Sequence, residues 1–269
     1  MDLKVRHLLW FFLLWALQGF GEVSIETLVK EAQNPIADLV SIPFQNNMNF
    51  RLTPYGRTQN VLNIQPVIPF HLNEHWNLIT RTILPVMSQP NPFRAGGRAD
   101  GIGDLNPTFF FSPGQKGVTA FGVGPSFFLP TANESLLGTG HWSVGPGLVV
   151  VSMPGPWVLG ALFNNVWSVA GEKGRPRVNQ MTFQPFVNYN LEKGWYLISS
   201  PIITANWVLP RRDQWIIPCG GGMGRLFDVG ALHVNAETQA FYDVATPTVN
   251  GPRWGIRLEV KFLFPENEA

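Results

Sequence analysis

His141 and Ser143 stand two apart around Trp142. On a β-strand that spacing puts both side chains on one face, where a base could activate a hydroxyl for attack on an ester. This is the arrangement a membrane hydrolase of the phospholipase type would use, together with an amide on the neighbouring strand. The next amides along the chain, Asn164 and Asn165, fall at another level. The alternation around the pair sends Trp142 outward and turns His141 and Ser143 away from lipid. A histidine at a loop rim explains the pattern more simply, and no catalytic residue is expected. Asp100-Gly-Ile-Gly-Asp104 lacks the run of oxygen ligands and the closing glutamate of a calcium loop. Gly220-Gly-Gly-Met-Gly224 lacks the Lys-Ser/Thr that completes a phosphate cradle. No metal and no cofactor is expected.

A wider set of polar residues recurs at every second position. Asn63, Gln65, Asn77, Arg81, Asn106, Gln180, Gln184, Asn188, Asn190, His233, Asn235, Glu237, Gln239, Arg257, Glu259 and Lys261 face away from aromatic and aliphatic neighbours. Such a set can line an aqueous lumen and select solutes, or fill a narrow barrel by mutual hydrogen bonding. The mixture of amides with both charge signs predicts weak ion selectivity. Phe128, Phe186 and Phe241 fall on the same side and suit an aromatic or amphiphilic solute.

These residues must be carried by strands. In the stretch 181–191, Met181, Phe183, Pro185, Val187 and Tyr189 oppose Thr182, Gln184, Asn188 and Asn190; in 254–264, Arg257, Glu259 and Lys261 oppose Ile256, Leu258, Val260 and Phe262. Period-two alternation is the strand signature. Only 14% of residues are charged against 45% hydrophobic, with 10 Trp and 20 Phe, whereas a soluble domain carries about 25% charged residues. Beyond the N-terminus no apolar run approaches the ~18 residues of a spanning helix. The composition therefore points to an all-β transmembrane antiparallel up-and-down β-barrel with a short N-terminal helix, in which every second residue meets lipid.

About twelve strands are expected, at 39–51, 58–71, 76–87, 102–112, 117–130, 141–152, 157–170, 178–191, 195–208, 215–226, 230–243 and 253–264. Short connections alternate with longer, more polar ones, as periplasmic turns and outer loops do in such barrels. Trp76, Trp157 and Trp195 follow short turns, while Trp142, Trp207, Trp215 and Trp254 flank long ones. Two interfacial belts are implied. Ten prolines in the interiors of these stretches, Pro66, Pro201 and Pro218 among them, call for bulges or open bonds.

The N-terminus reads as an address. Lys4, Arg6 and His7 precede an apolar core at 8–17 and a small-residue cleavage region at 19–21, so residues 1–21 are expected to be a signal peptide. Residues 22–38 follow as a short periplasmic helical segment stopped by Pro35, then the barrel at 39–264 and a periplasmic tail at 265–269. Both termini are expected in the periplasm of a bacterial outer membrane. A net charge of +1 excludes a nucleic-acid footprint, and Cys219 has no internal disulfide partner. The closing Phe262-Leu-Phe264 resembles the signal read by the barrel-assembly machinery, set back by the short tail.

Several stretches resemble the phenol-degradation meta-pathway family of bacterial outer-membrane proteins, often mislabelled neuromedin U. They are Asn34-Pro-Ile-Ala-Asp-Leu-Val-Ser-Ile-Pro-Phe-Gln-Asn-Asn47, Asn60-Val-Leu-Asn-Ile-Gln-Pro-Val-Ile-Pro-Phe70, Gly101-Ile-Gly-Asp104, Gly122-Val-Gly-Pro125 with Pro130-Thr-Ala132, Trp142-Ser-Val-Gly-Pro146 and Gly220-Gly-Gly222. The resemblance implies a transporter-like barrel, in a family sometimes encoded beside aromatic-degradation genes, and carries over no catalytic motif. The expected partners are the lipid bilayer, the assembly machinery and a small, aromatic or hydrophobic, solute. A phospholipase-like hydrolase and a sealed structural barrel are the alternatives.

Overall fold

A computed structural model describes residues 25–114 and 117–265; the expected signal peptide and most of the expected tail lie outside them. The element order is α1 (Ile25–Gln33), β1 (Val40–Leu52), β2 (Arg57–Ile64), β3 (Val67–His71), β4 (Trp76–Pro90), β5 (Arg98–Ile102), β6 (Asn106–Pro113), β7 (Thr119–Phe128), β8 (His141–Ser152), β9 (Trp157–Gly171), β10 (Asn179–Asn190), β11 (Trp195–Ser199), β12 (Ile203–Asn206), β13 (Trp215–Val229), β14 (Leu232–Ala245) and β15 (Trp254–Phe264). Each strand pairs antiparallel with the next along the chain, and β15 returns to β1. The result is a closed barrel of twelve strands. There are fifteen segments because β2–β3, β5–β6 and β11–β12 are each one strand interrupted in mid-course.

The prolines explain two of these breaks and one irregularity. Pro66 and Pro201 lie in the gaps of β2–β3 and β11–β12, and Pro218 sits at a register shift between β13 and β14. Others stay in register, such as Pro43 opposite Lys261 and Pro185 opposite Ala161. A strand proline loses one donor while its carbonyl still accepts. Gln65 N–H donates to Pro43 O at 2.9 Å and Gly103 N–H to Pro85 O at 2.9 Å.

Alternation decides which side chains face outward. Along β8, exposed Trp142, Leu148 and Val150 alternate with buried His141, Ser143, Val149 and Val151. Trp76, Trp157 and Trp195 are exposed near the short turns; Trp142, Trp207 and Trp254 are exposed near the long loops. Their polar edges find partners there. Trp207 Nε1–H donates to Asn165 Oδ1 at 2.9 Å, and the Arg225 guanidinium lies 5.2 Å from the Trp195 ring centroid.

The long-loop end is held by side chains. Asp104 accepts from the Thr139 N–H at 2.6 Å and its hydroxyl at 2.7 Å, which fastens the 129–140 loop to the wall. Asp213 ties the 207–214 loop to the 246–253 loop by accepting the Thr248 N–H at 2.8 Å. That backbone N–H, then the Thr248 hydroxyl and Arg212, hold the Asp213 carboxyl below its ordinary value. A depressed carboxylate contributes from above its unfolded pKa and loses its contribution as pH falls through the lower folded value. Protection of the Thr248 amide against exchange, relative to its intrinsic rate, is therefore expected to persist through neutral and mildly acidic pH. It is lost only below the usual aspartate range, and Asp213→Asn removes that acid step.

α1 and residues 34–39 cross the inside of the barrel at its short-turn end. Leu28, Val29 and Ala32 form the helix's buried face, at the i, i+1, i+4 spacing of one helical side, with Glu26 in the first turn and Lys30 in the last. That face packs on Tyr196, Ile198, Leu226 and Leu263, which point inward from β11, β13 and β15. The helix stops before Pro35, and Asn34 Oδ1 accepts the Ile36 N–H at 3.0 Å to turn the chain. Ile36 then packs against the opposite inner wall with Val67, Ile79, Phe110, Val149, Val151, Val158 and Phe186. Burying a Leu, Val or Ile is worth about 1.5–3 kcal/mol, so these contacts dominate the docking. The helix predicted ahead of the barrel is thus packed into it.

Candidate functional site

The lumen is two-sided. One inner wall, carried by β3 to β9, has an apolar patch where it meets Ile36, with polar side chains such as Arg81, Asn106 and Ser126 at other levels. The other, carried by β10 to β15 and β1, is polar. Between the polar wall and α1 lies an inner chamber of about 110 Å³. Towards the long loops lies a vestibule of about 300 Å³, lined on one side by Asn47, Asn49 and Gln59 and on the other by Ile202, Ile216, Pro218 and Phe241. Arg257 borders both.

Arg257 is only 5% exposed. Its Nε donates to Asn47 Oδ1 at 3.0 Å, and Nη1 donates to Ser200 O at 2.8 Å and to Ser200 Oγ at 3.1 Å. The guanidinium lies 4.9 Å from the Phe241 ring centroid. Ser200 is available because Pro201 interrupts the strand there and frees its carbonyl from the ladder. The Ser200 N–H donates to Gln239 Oε1 at 3.0 Å, and Gln239 Nε2 donates to Glu237 Oε1 at 2.8 Å. Tyr196 completes the ladder by donating to Glu237 Oε2 at 3.0 Å while accepting from Asn235 Nδ2 at 2.8 Å. A chain of this kind fixes each member's orientation, because moving one side chain leaves its neighbours unsatisfied.

Two further cations complete the chamber. Arg81 Nη2 donates to Gln65 Oε1 at 2.7 Å from the facing wall. Lys261 Nζ lies 3.4 Å from Glu259 Oε1 and donates to Ala32 O of α1 at 2.8 Å. The helix is fastened again where Gln33 Nε2 donates to Asn190 Oδ1 at 2.8 Å. Among the described residues neither Arg81 nor Arg257 forms an ion pair; both rest on neutral acceptors.

The sixteen residues singled out in the sequence separate by level. Gln65, Arg81, Gln184, Asn188, Asn235, Glu237, Arg257, Glu259 and Lys261 border the inner chamber. Gln239 joins them through Ser200 and Glu237. Asn63 lies on the inner face of β2 opposite Gln45. Gln180 lies on the inner face of β10 towards the long loops, opposite Asn206. Asn106 sits on the other wall, donating to Phe127 O at 2.7 Å. Asn77, Asn190 and His233 are at the short-turn rim, where His233 Nδ1 lies 2.6 Å from Asp228 Oδ1. Sequence reasoning missed Gln45, Asn47, Tyr196, Ser200, Asp243 and the residues of α1. Gln45, Asn47 and Asn49 do alternate along β1, and Asp243 continues the odd-numbered run of β14 beyond Phe241. Ser200 carried no such mark, since its role depends on the strand break.

His141 and Ser143 are both buried and inward, as their alternation requires. No hydrogen bond joins them. The imidazole lies 3.3 Å from Ala170 O and 3.4 Å from Arg175 O, and Ser143 Oγ has no hydrogen-bond partner.

No protein-family model matches the chain, and no curated protein does. Solved structures do. An outer membrane channel from Pseudomonas putida F1 superposes with a TM-score of 0.62 at 18% identity, covering 84% of this chain and 94% of that one. The fold is that of a closed, transmembrane-type antiparallel β-barrel. A NanC porin superposes with a TM-score of 0.51 at 8% identity, covering 84% of this chain and 100% of that one. At these identities the likeness is one of fold. It covers the closed antiparallel meander.

Proposed function

We propose that this outer-membrane barrel passes a small solute, aromatic or otherwise hydrophobic, through its lumen, entering by the long-loop end at the cell surface and leaving past α1 into the periplasm. The observation that carries the reading is the stacking of a 300 Å³ vestibule on a 110 Å³ chamber with one side chain, Arg257, between them. A barrel built only to be sealed has no use for a mixed vestibule that opens towards its loops. The apolar wall and the Phe241 face favour a solute with an apolar body, and the amides opposite suit one or two polar groups. The resemblance to the phenol-degradation family agrees with an aromatic solute. The alternation of short turns and long loops supports periplasmic termini.

The test is reconstitution of purified, heat-modifiable protein. Conductance steps in planar bilayers, or uptake of small aromatic solutes into liposomes, are expected. The absence of both overturns the reading. The barrel is also proposed to be non-catalytic, because the His141 ring lies against the Ala170 and Arg175 carbonyls and forms no hydrogen bond with Ser143. Ser143→Ala is accordingly expected to leave lipid hydrolysis by outer-membrane preparations unchanged; a loss would restore the hydrolase.

A further inference from the structure

We infer that Asp243 is the docking group of the vestibule for a cationic amphiphile, an organic ammonium with an apolar body. This rests on the lumen being the solute's route, and names the class of solute.

Asp243 lies near the end of β14 and lines the vestibule below the 246–253 loop. It is 5% exposed, and among the described residues its carboxyl group has no hydrogen bond and no ion pair. Arg257, Asn49 and Asn250, which also line the vestibule, are engaged. Arg257 has three hydrogen bonds and an aromatic face, Asn49 donates to Gln59 at 2.7 Å, and Asn250 accepts from Gln89 at 2.8 Å. A desolvated carboxyl group without a partner is costly, and a ligand that supplies both charge and N–H donors relieves the cost most completely. Below Asp243 the wall is Phe241, Ile216, Pro218 and Ile202, a surface for a ring or a short alkyl chain. Arg257 stands opposite Gln239, four residues further down β14. At the rise of an extended strand the backbone of that level is roughly 14 Å from that of Asp243, with the Phe241 ring between, a face for an apolar body whose ammonium sits at the mouth. An acid bound head-down on Arg257 would have to pass Asp243 and compete for donors that already have acceptors.

The full-length protein in a non-ionic detergent is titrated with phenethylammonium, phenethyl alcohol and phenylacetate, following tryptophan fluorescence, since Trp215 and Trp254 flank the mouth. The ammonium is expected to bind roughly tenfold tighter than the alcohol, a difference of about 1.4 kcal/mol. Asp243→Asn brings amine and alcohol to the same affinity, and Asp243→Glu retains part of the preference. Heat-modifiable mobility checks that each variant is folded. Equal binding of amine and alcohol to the native protein, tightest binding of the acid, or an amine preference that survives Asp243→Asn would overturn the assignment. The assay reads binding without permeation. An amine preference in a protein that shows neither conductance nor uptake would sink the transport reading and keep the site. Conductance without amine preference would do the reverse.

Discussion

Removal of residues 25–38 is expected to raise single-channel conductance several-fold while leaving a folded, heat-modifiable barrel. The expectation follows from where the segment's contacts lie. Leu28, Val29 and Ala32 bury themselves on the inner faces of β11, β13 and β15, and Ile36 reaches the opposite wall. The segment thus occupies the cross-section without contributing to the ladder. All twelve strands keep both neighbours when it is gone, because β1 begins at Val40 and pairs with β15 from that residue. The strands carry most of the fold's hydrogen bonds, so the barrel survives and the obstruction does not. The polar fastenings at Lys261 and Gln33 are single bonds, each worth about 0.5–1.5 kcal/mol, rising towards 3 where a charge is involved. The apolar contacts are larger, and Leu28→Asp with Ile36→Asp should reproduce most of the deletion's effect. Planar-bilayer recordings of the three proteins decide it. A deletion variant with native conductance would mean that α1 is not the obstruction.

Arg257→Ala is expected to give the second largest effect. Among the described residues this side chain alone borders both the vestibule and the inner chamber, so its removal joins them. It also leaves the Ser200 carbonyl without its donor and Asn47 Oδ1 with only the 3.3 Å bond from Gln45, and an unsatisfied buried acceptor costs about 1–3 kcal/mol. Conductance should therefore rise, and the temperature at which the folded band slows in gels should fall. Removing one of three cations while Glu237 and Glu259 remain shifts the chamber towards cations, so reversal potentials in a salt gradient should move in that direction. Arg257→Lys keeps the charge but cannot reach Asn47 and Ser200 together, since an ammonium lacks the planar fork. It should preserve selectivity and lose thermal stability. Unchanged conductance and reversal potential in Arg257→Ala would remove the residue from the solute's path.

The barrel was legible in the chain because period two is a local property. Each strand residue faces either lipid or the lumen, and a spanning strand cannot hide which. Low charge, aromatic strand ends and turns of alternating length then point the same way, as in 181–191 and 254–264. Arg81, Glu237, Arg257, Glu259 and Lys261 could be placed on the inner face by counting alone. What counting cannot supply is height and partner. That Arg81 and Arg257, 176 positions apart in the numbering, border one chamber depends on strand stagger and closure of the ring.

The prolines show the same division. Their presence predicts irregularity, but Pro66 and Pro201 break the ladder while Pro43 and Pro185 remain in register. The difference lies in what the neighbouring strand offers, which is a tertiary matter. α1 is the clearest case. Leu28, Val29 and Ala32 specify a helix with one apolar side, by spacing alone. A helix of that kind could lie on a membrane, on a partner or in a barrel, since apolar burial is non-directional and carries no address. Only the folded ring, presenting Tyr196, Ile198, Leu226 and Leu263 on one inner wall and a pocket for Ile36 on the other, decides that it crosses the lumen.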